Sequence, residues 1–364
     1  MVTAMSESSV GRSRHDATHY PLFDYLRILL ATGVFFRHAL GDNYLSENFG
    51  NACVQIFFGL SGFLIGTILL DTAIDDLPSF YFKRVVRIWI PYAIAISLLM
   101  TGTILLQNLR DPVLWQTAFY NVTFVTNVFH QPKSLLHRAP MWGVAPHFWS
   151  ICVEEQFYLL APLLMLLLKR ARVPILIGVA VLNVFVPHNF ASVSLGVLLA
   201  IATAGRPLHG WARLSFALVA ISTVLAVQCG WVKYAAVVPV GAVALVAALA
   251  WPGRPSALGS FLGGMSYPFY LNHWLPLMMR SKLIALFGVQ GGGAIALAFA
   301  ASLAGSAVHY GLIDRQVLRA RSRWYTAARG RIAWATGFSL VALGLVGGVY
   351  FHEHNLHDGT LQPH

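Results

Sequence analysis

Residues 52–70 read ACVQIFFGLSGFLIGTILL, nineteen side chains without one formal charge. As a helix rising 1.5 Å per residue, the stretch comes close to the ~20 residues that cross a hydrocarbon core. Ten further apolar runs accompany it, at about 22–40, 88–106, 148–168, 173–187, 190–204, 214–229, 234–250, 261–279, 291–313 and 332–351. The 364-residue chain is 57% hydrophobic and only 11% charged, with a mean hydropathy of +0.64. Soluble domains carry about 25% charged residues, so this composition cannot clothe a water-facing surface. The sequence predicts an all-α fold: a polytopic membrane helix bundle of about eleven transmembrane helices with the lipid bilayer as partner. The runs 173–187 and 190–204 are short and flank Pro187 and His188, and they are read as tilted or partly re-entrant.

The formal net charge is +11, which in a soluble chain would suggest nucleic acid. Its placement excludes that partner, because the basic residues fall between apolar runs rather than on one face or arm. With the N-terminus inside, 17 of the 25 lysines and arginines lie in inside segments and 6 in outside ones, leaving Arg27 and Arg37 within the first helix. That bias is the positive-inside signature. It predicts a multi-pass protein of the cell (inner) membrane, N-terminus cytoplasmic and C-terminus extracytoplasmic. Arg27 and Arg37 interrupt the first apolar run, so it is read as a retained helix rather than a cleaved signal. Cys53, Cys152 and Cys229 have no metal-binding spacing and make a poor disulfide framework, and no metal is expected. A loop at 107–147 carries Trp115, His130, His137, Trp142 and His147. The arginine-rich segment 314–331 is read as lying along the anionic inner leaflet. No inverted repeat of the kind transporters often show is visible.

Ionisable side chains within a membrane helix cost a few kcal/mol on insertion scales, so they usually face an interior cavity and serve a function. Arg27 and His38 are eleven residues apart, three turns plus 20°, and so share a helix face with ~16 Å between them along the axis. A histidine is the usual general base near neutral pH; the plainer alternative is an Arg27 that snorkels and a His38 that is merely a satisfied interior residue. In FFGLSGF (57–63), the small residues around Ser61 suit close helix contact. In KRVVR (83–87), Arg84 and Arg87 share a face, as a phosphate-binding pair or as topological anchors. In WSICVEEQFY (149–158), Glu154 and Tyr158 share a face, and a carboxylate there is placed to orient His38 or bind a hydroxyl; Glu155 is read as interfacial. In SYPFYLNHW (266–274), Ser266, Tyr270 and His273 form a polar stripe one and two turns apart.

In this order the motifs resemble those of the acyltransferase-3 family, integral-membrane enzymes that O-acylate sugars and some antibiotics. The resemblance covers roughly 20–313. Arg27 and His38 match its Arg-x10-His element, Phe57, Phe58, Ser61, Gly62 and Phe63 its FF-x-x-SGF element, and Arg84 and Arg87 its Arg-x-x-Arg element. Trp149, Ser150, Glu154, Gln156, Phe157, Tyr158 and Leu159 match a WS-x-x-x-E-x-QFYL element, and Ser266 through Trp274 an SYP-x-YL-x-HW element. The resemblance implies a ten-helix core plus one additional helix. It further implies acyl-CoA, acetyl-CoA in the simplest case, as donor substrate, with no tightly bound cofactor. His38 and Glu154 are then the expected catalytic residues; Arg27, Arg84 and Arg87 bind acyl-CoA; Ser61, Tyr158, Tyr270 and His273 shape the site. The expected organisation is a cytoplasmic polar segment (1–20), a membrane acyltransferase domain (21–331), an additional transmembrane helix (332–351) and a short tail (352–364), hence one domain. The acceptor is expected to be a hydroxyl of a carbohydrate or cell-surface glycan. A small secondary metabolite such as a macrolide is the alternative acceptor, and a transporter or acyl translocator the non-enzyme alternative.

Overall fold

The computed structural model describes residues 19–357 except 42–43, 108, 130–132, 144, 187–188 and 205. Expectations for the segment 1–18, for His130, Pro187 and His188, and for the tail beyond 357 lie outside the described residues. Among the described residues the chain is helical throughout, with no strand. In order, the helices are α1 (Pro21–Leu40), α2 (Glu47–Leu70), α3 (Leu77–Leu106), α4 (Pro112–Val122), α5 (Trp149–Pro162), α6 (Arg172–Phe185), α7 (Ala191–Thr203), α8 (Gly210–Gln228), α9 (Tyr234–Leu249), α10 (Ala257–Asn272), α11 (Trp274–Met278), α12 (Arg280–Phe287), α13 (Gly292–His309), α14 (Arg315–Trp324) and α15 (Ala327–His357). Wide π turns prolong α5 through Leu163–Leu167 and join α13 to α14 through Tyr310–Asp314.

Each of the eleven apolar runs is therefore helical, but the expected number of spans is only partly supported. Among the described residues, six helical segments are long and apolar enough to cross a membrane: Glu47–Leu70, Ile74–Leu106, Trp149–Leu167, Gly210–Gln228, Gly292–Trp324 and Ala327–Phe351. Of the remainder, α6, α7 and α9 are apolar but only 14, 13 and 16 residues long. α1 has the length but carries Asp24, Arg27 and Arg37. The apolar run 261–279 is broken at His273. Pro276 has no N–H for the Asn272 carbonyl, which accounts for the break.

Large apolar side chains cover the exterior; Leu105, Phe185 and Val346 are each more than 70% exposed. Spread over several helices, such a surface matches hydrocarbon rather than water. Inside, α2 is the central element, packed on α1, α5, α7 and α9, while α1 also lies against α10 and α10 against α13. Glycines let α2 and α7 touch: a Cβ on Gly62 would meet the Val193 carbonyl oxygen at 2.1 Å, and one on Gly196 would meet the Gly59 carbonyl oxygen at 2.3 Å. Buried Phe35, Phe269 and Trp274 fill the space where α1, α10 and α11 meet. Their bulk fixes the facing registers of α1 and α10, on which the site depends.

Candidate active site

Two cavities in the bundle share a wall. One, of about 210 Å³, is lined by Arg27, Ser61, Arg84, Arg87, Glu154 and Tyr158. The other, of about 580 Å³, opens beneath the 107–147 loop and is lined by Arg37, His38, Glu47, Asn51, His147 and Asn189 among others. Val54 and Tyr270 line both. A third cavity of about 240 Å³ shares Arg27, Arg87, Gly263 and Tyr267 with the first and continues it toward Asp314 at the start of α14.

Three arginines, Arg27, Arg84 and Arg87, line the first cavity. Arg27 sits one turn from the buried Asp24 and pairs with it at 3.4 Å. Arg84 and Arg87 lie one turn apart on α3, and the Arg84 guanidinium stands 5.7 Å from the Phe80 ring and 5.8 Å from that of Tyr158. The Arg84 Nε is buried without a hydrogen-bond partner among the described residues. Glu154 and Tyr158, one turn apart on α5, meet Ser61 of α2. The Ser61 hydroxyl donates to Glu154 Oε1 and lies 3.1 Å from the Tyr158 hydroxyl, which in turn donates to the same carboxylate at 3.3 Å. Glu154 is thus held as an acceptor by two hydroxyls, and the three guanidiniums around it keep the cavity cationic.

The loop-end cavity carries the histidines. Three turns along α1 from Arg27, His38 faces it and is exposed to it. His38 Nδ1 lies 2.8 Å from Nε2 of the fully buried His273, and the two rings are nearly parallel. His273 Nδ1 lies 2.8 Å from the Tyr270 carbonyl oxygen. His147, entering α5 from the loop, holds its ring tilted, with its centroid 4.6 Å from that of His273 and 5.8 Å from that of His38. Its Nε2 reaches the Leu271 carbonyl oxygen at 3.4 Å. The three rings bring a nitrogen each within 4.8 Å of one another, a grouping that metal sites also use. The 2.8 Å separation is a hydrogen-bond length, however, whereas nitrogens around a tetrahedral zinc at 2.0–2.1 Å stand about 3.3 Å apart.

Every sequence-predicted site residue therefore lines one cavity or is bonded to a residue that does. Arg27, Ser61, Arg84, Arg87, Glu154 and Tyr158 gather at one end, His38 and His273 at the other, and Tyr270 between them. Orienting His38 is one of two roles expected of Glu154; here Glu154 lines the arginine cavity with Ser61 and Tyr158, and the ring partner of His38 is His273. Glu154 lies one and a half turns into α5 from Trp149, which carries its carboxylate away from the histidine end. Glu155 is not interfacial; it is 1% exposed, because the adjacent helix position turns it inward. Sequence reasoning gave His147 no role at the site, although it stands two residues before the Trp149–Ser150 motif. It also passed over the amide ladder of Asn51, Gln55 and Asn189, in which the Gln55 amide donates to Asn51 at 3.4 Å and to Asn189 at 3.3 Å. The available signal was an asparagine and a glutamine at i, i+4 in an otherwise apolar run.

Comparison with known proteins places the motifs in context. The pattern of the acyltransferase-3 family, described as an acyltransferase domain, matches residues 20–311. A predicted O-acetyltransferase of Staphylococcus aureus (strain COL) is 28% identical over 156 residues, 41% of this chain and 25% of that protein. The O-acetyltransferase OatA of Staphylococcus aureus (strain NCTC 8325) is 28% identical over 151 residues, 40% of this chain and 24% of OatA. The aligned stretch is thus about a quarter of the length of each relative. No solved structure matches the chain closely enough to carry a comparison.

Proposed function

This chain belongs to the acyltransferase-3 family, and from that membership we propose that it transfers an acyl group, acetyl in the simplest case, from acyl-CoA to a hydroxyl of a carbohydrate or cell-surface glycan. The arginine end faces the cytoplasm, where acyl-CoA is available, and the donor's phosphates sit against Arg84 and Arg87 with Arg27 beyond them. The acyl arm runs past Val54 and Tyr270 toward His38, along the ~16 Å that separate Arg27 from His38 on α1. The acceptor hydroxyl enters from the loop-end cavity. His38 removes its proton as the oxygen attacks the thioester carbonyl; the C–S bond then breaks, and the departing thiolate takes the proton back from His38. Glu154, bonded to Ser61 and Tyr158, shapes the donor side. The Asn51, Gln55 and Asn189 amides offer hydroxyl-binding groups on the acceptor side.

One observation carries this reading: three guanidiniums and an accessible histidine occupy separate cavities that meet at Tyr270. A donor that is anionic at one end and reactive at the other fits that division. The test is acetyl-CoA binding and turnover by the purified protein in detergent. Arg84→Ala and Arg87→Ala each remove a charge-assisted phosphate contact worth about 1.5–3 kcal/mol, so each weakens acetyl-CoA binding roughly ten- to a hundredfold. Unchanged binding with reduced expression would make the two arginines topological anchors and sink the donor site.

A further inference from the structure

A base acts only if its lone pair points at the substrate, and an imidazole has two nitrogens of which one, in the neutral ring, carries the proton. The hydrogen bonds around His38 decide which. A backbone carbonyl can only accept, so the 2.8 Å contact from His273 Nδ1 to the Tyr270 oxygen puts a proton on His273 Nδ1. Neutral His273 then has a bare Nε2, which can only accept. The 2.8 Å contact between that atom and His38 Nδ1 therefore requires the proton on His38 Nδ1. His38 Nε2 is left unprotonated. The neighbouring ring does not compete: His147 donates its Nε2 proton to the Leu271 carbonyl, so its other nitrogen has no proton to offer His273.

We propose that His273 is a positioning residue which, anchored on the Tyr270 carbonyl, holds His38 in the Nδ1–H tautomer and turns the Nε2 lone pair to the acceptor. The inference rests on His38 being the base. Several features make the device rigid. His273 is 0% exposed and Trp274 1%, and the His273 ring lies against those of Phe35 and Phe269, with centroids 6.3 and 6.4 Å away. The anchoring carbonyl belongs to the last turn of α10, three residues before His273, just where the helix breaks. The bond also survives the reaction. When Nε2 takes the hydroxyl proton, Nδ1–H still donates to His273, now from an imidazolium, and charge-assisted hydrogen bonds are the stronger kind. His273 thus stabilises the protonated base without itself gaining a proton or touching the substrate. It does so with an uncharged acceptor, which suits a site within a membrane.

The experiment compares wild type, His273→Leu and His273→Gln, each as the full chain in detergent. Glutamine places an amide oxygen near the position of Nε2 and can accept from His38; leucine cannot. The first readout is nitrogen NMR of histidine-labelled protein, with the His38 signals identified by their loss in His38→Gln. Wild type and His273→Gln should carry the His38 proton on Nδ1, and His273→Leu should shift it toward Nε2. The second is acetyl-CoA turnover, followed as free thiol with methyl glucoside as hydroxyl probe. His273→Leu should lose about 10²–10⁴-fold in kcat, the range of a general base's contribution and, at its upper end, of a wrong tautomer in other histidine-based sites, with KM for acetyl-CoA within twofold. His273→Gln should recover most of that loss. A proton on Nε2 in wild type overturns the inference, as does full turnover in His273→Leu while His38→Ala is inactive. So does a stoichiometric metal whose removal by chelator alters the His38 signals, since an ion would then hold the rings instead of a proton. If His38→Ala keeps its turnover, the base assignment fails instead, and the NMR result still reports the tautomer.

Discussion

Gly62→Ala adds one methyl group to α2 at the point where that helix lies against α7. The new Cβ would sit 2.1 Å from the Val193 carbonyl oxygen, 2.9 Å from its carbon and 3.1 Å from its Cα. All three atoms are backbone, so no side chain can rotate away. Ordinary contact begins at 3.4 Å, and the two helices would have to part by roughly 1.3 Å at this level. The seam extends over several turns: a Cβ on Gly66 of α2 would meet the Ala200 Cβ at 2.8 Å, and one on Gly196 of α7 would meet the Gly59 carbonyl oxygen at 2.3 Å. Parting it also pulls on the buried bond from the Ser192 hydroxyl to the Gln55 amide oxygen, 2.5 Å long. Overpacking of this kind costs about 1–3 kcal/mol when neighbours can adjust, and a backbone neighbour places Gly62 at the upper end. Gly178→Ala is the control, because a Cβ there meets nothing within 4 Å and alanine favours helix over glycine by up to ~1 kcal/mol. Thermal unfolding of the purified proteins in one detergent, followed by intrinsic fluorescence, should show Gly62→Ala melting well below wild type and Gly178→Ala at or above it. Equal melting temperatures for Gly62→Ala and wild type would refute backbone contact between α2 and α7.

Two further outcomes follow from the loop and from the charge pattern. In the 107–147 loop Arg138 grips Asp111 through two bonds of 2.9 and 3.0 Å, and Asp111 also caps α4 by accepting from the Val113 N–H. Arg138 foremost, with that N–H, holds the Asp111 carboxyl below its ordinary value. A lowered folded value means that the pair's contribution is whole above the unfolded value of about 3.9 and is lost as pH falls through the folded one. Hydrogen exchange in the loop should therefore be slower in wild type than in Asp111→Asn from pH 8 to 5, and the difference should close below about pH 4; a difference independent of pH would refute the pairing. Reporter fusions after residues 75 and 331 should both read cytoplasmic, and an extracytoplasmic signal after residue 75 would overturn the assigned orientation.

Much of the site was legible because helix geometry is periodic. The eleven-residue step from Arg27 to His38 required one face and ~16 Å of separation, and the two residues indeed line cavities at opposite ends of one track. The Glu154–Tyr158 and Arg84–Arg87 pairs likewise follow from spacing within one helix. What spacing within a helix cannot supply is the partner on another helix. His38 meets His273 across 235 residues of sequence, a contact set by how Phe35 and Phe269 seat α1 on α10. The separation of Glu154 from His38 has the same origin: the depth of α5 relative to α1 is a packing result. His147 was hidden because it precedes its helix, where no periodicity marks a face. The broken run at 261–279 was masked by hydropathy, since Pro276 is apolar enough to leave the profile continuous while still interrupting the helix.

The most direct test of the central claim is the turnover of acetyl-CoA by His38→Ala, measured beside its acetyl-CoA binding. Removing a positioned general base costs about 10²–10⁴-fold in rate, while the Arg27, Arg84 and Arg87 cavity, which His38 does not line, is untouched. The variant should therefore fold, bind acetyl-CoA as wild type does and transfer at or below about one hundredth of the wild-type rate. Turnover above about a tenth of wild type, well short of that effect, would contradict His38 as the base.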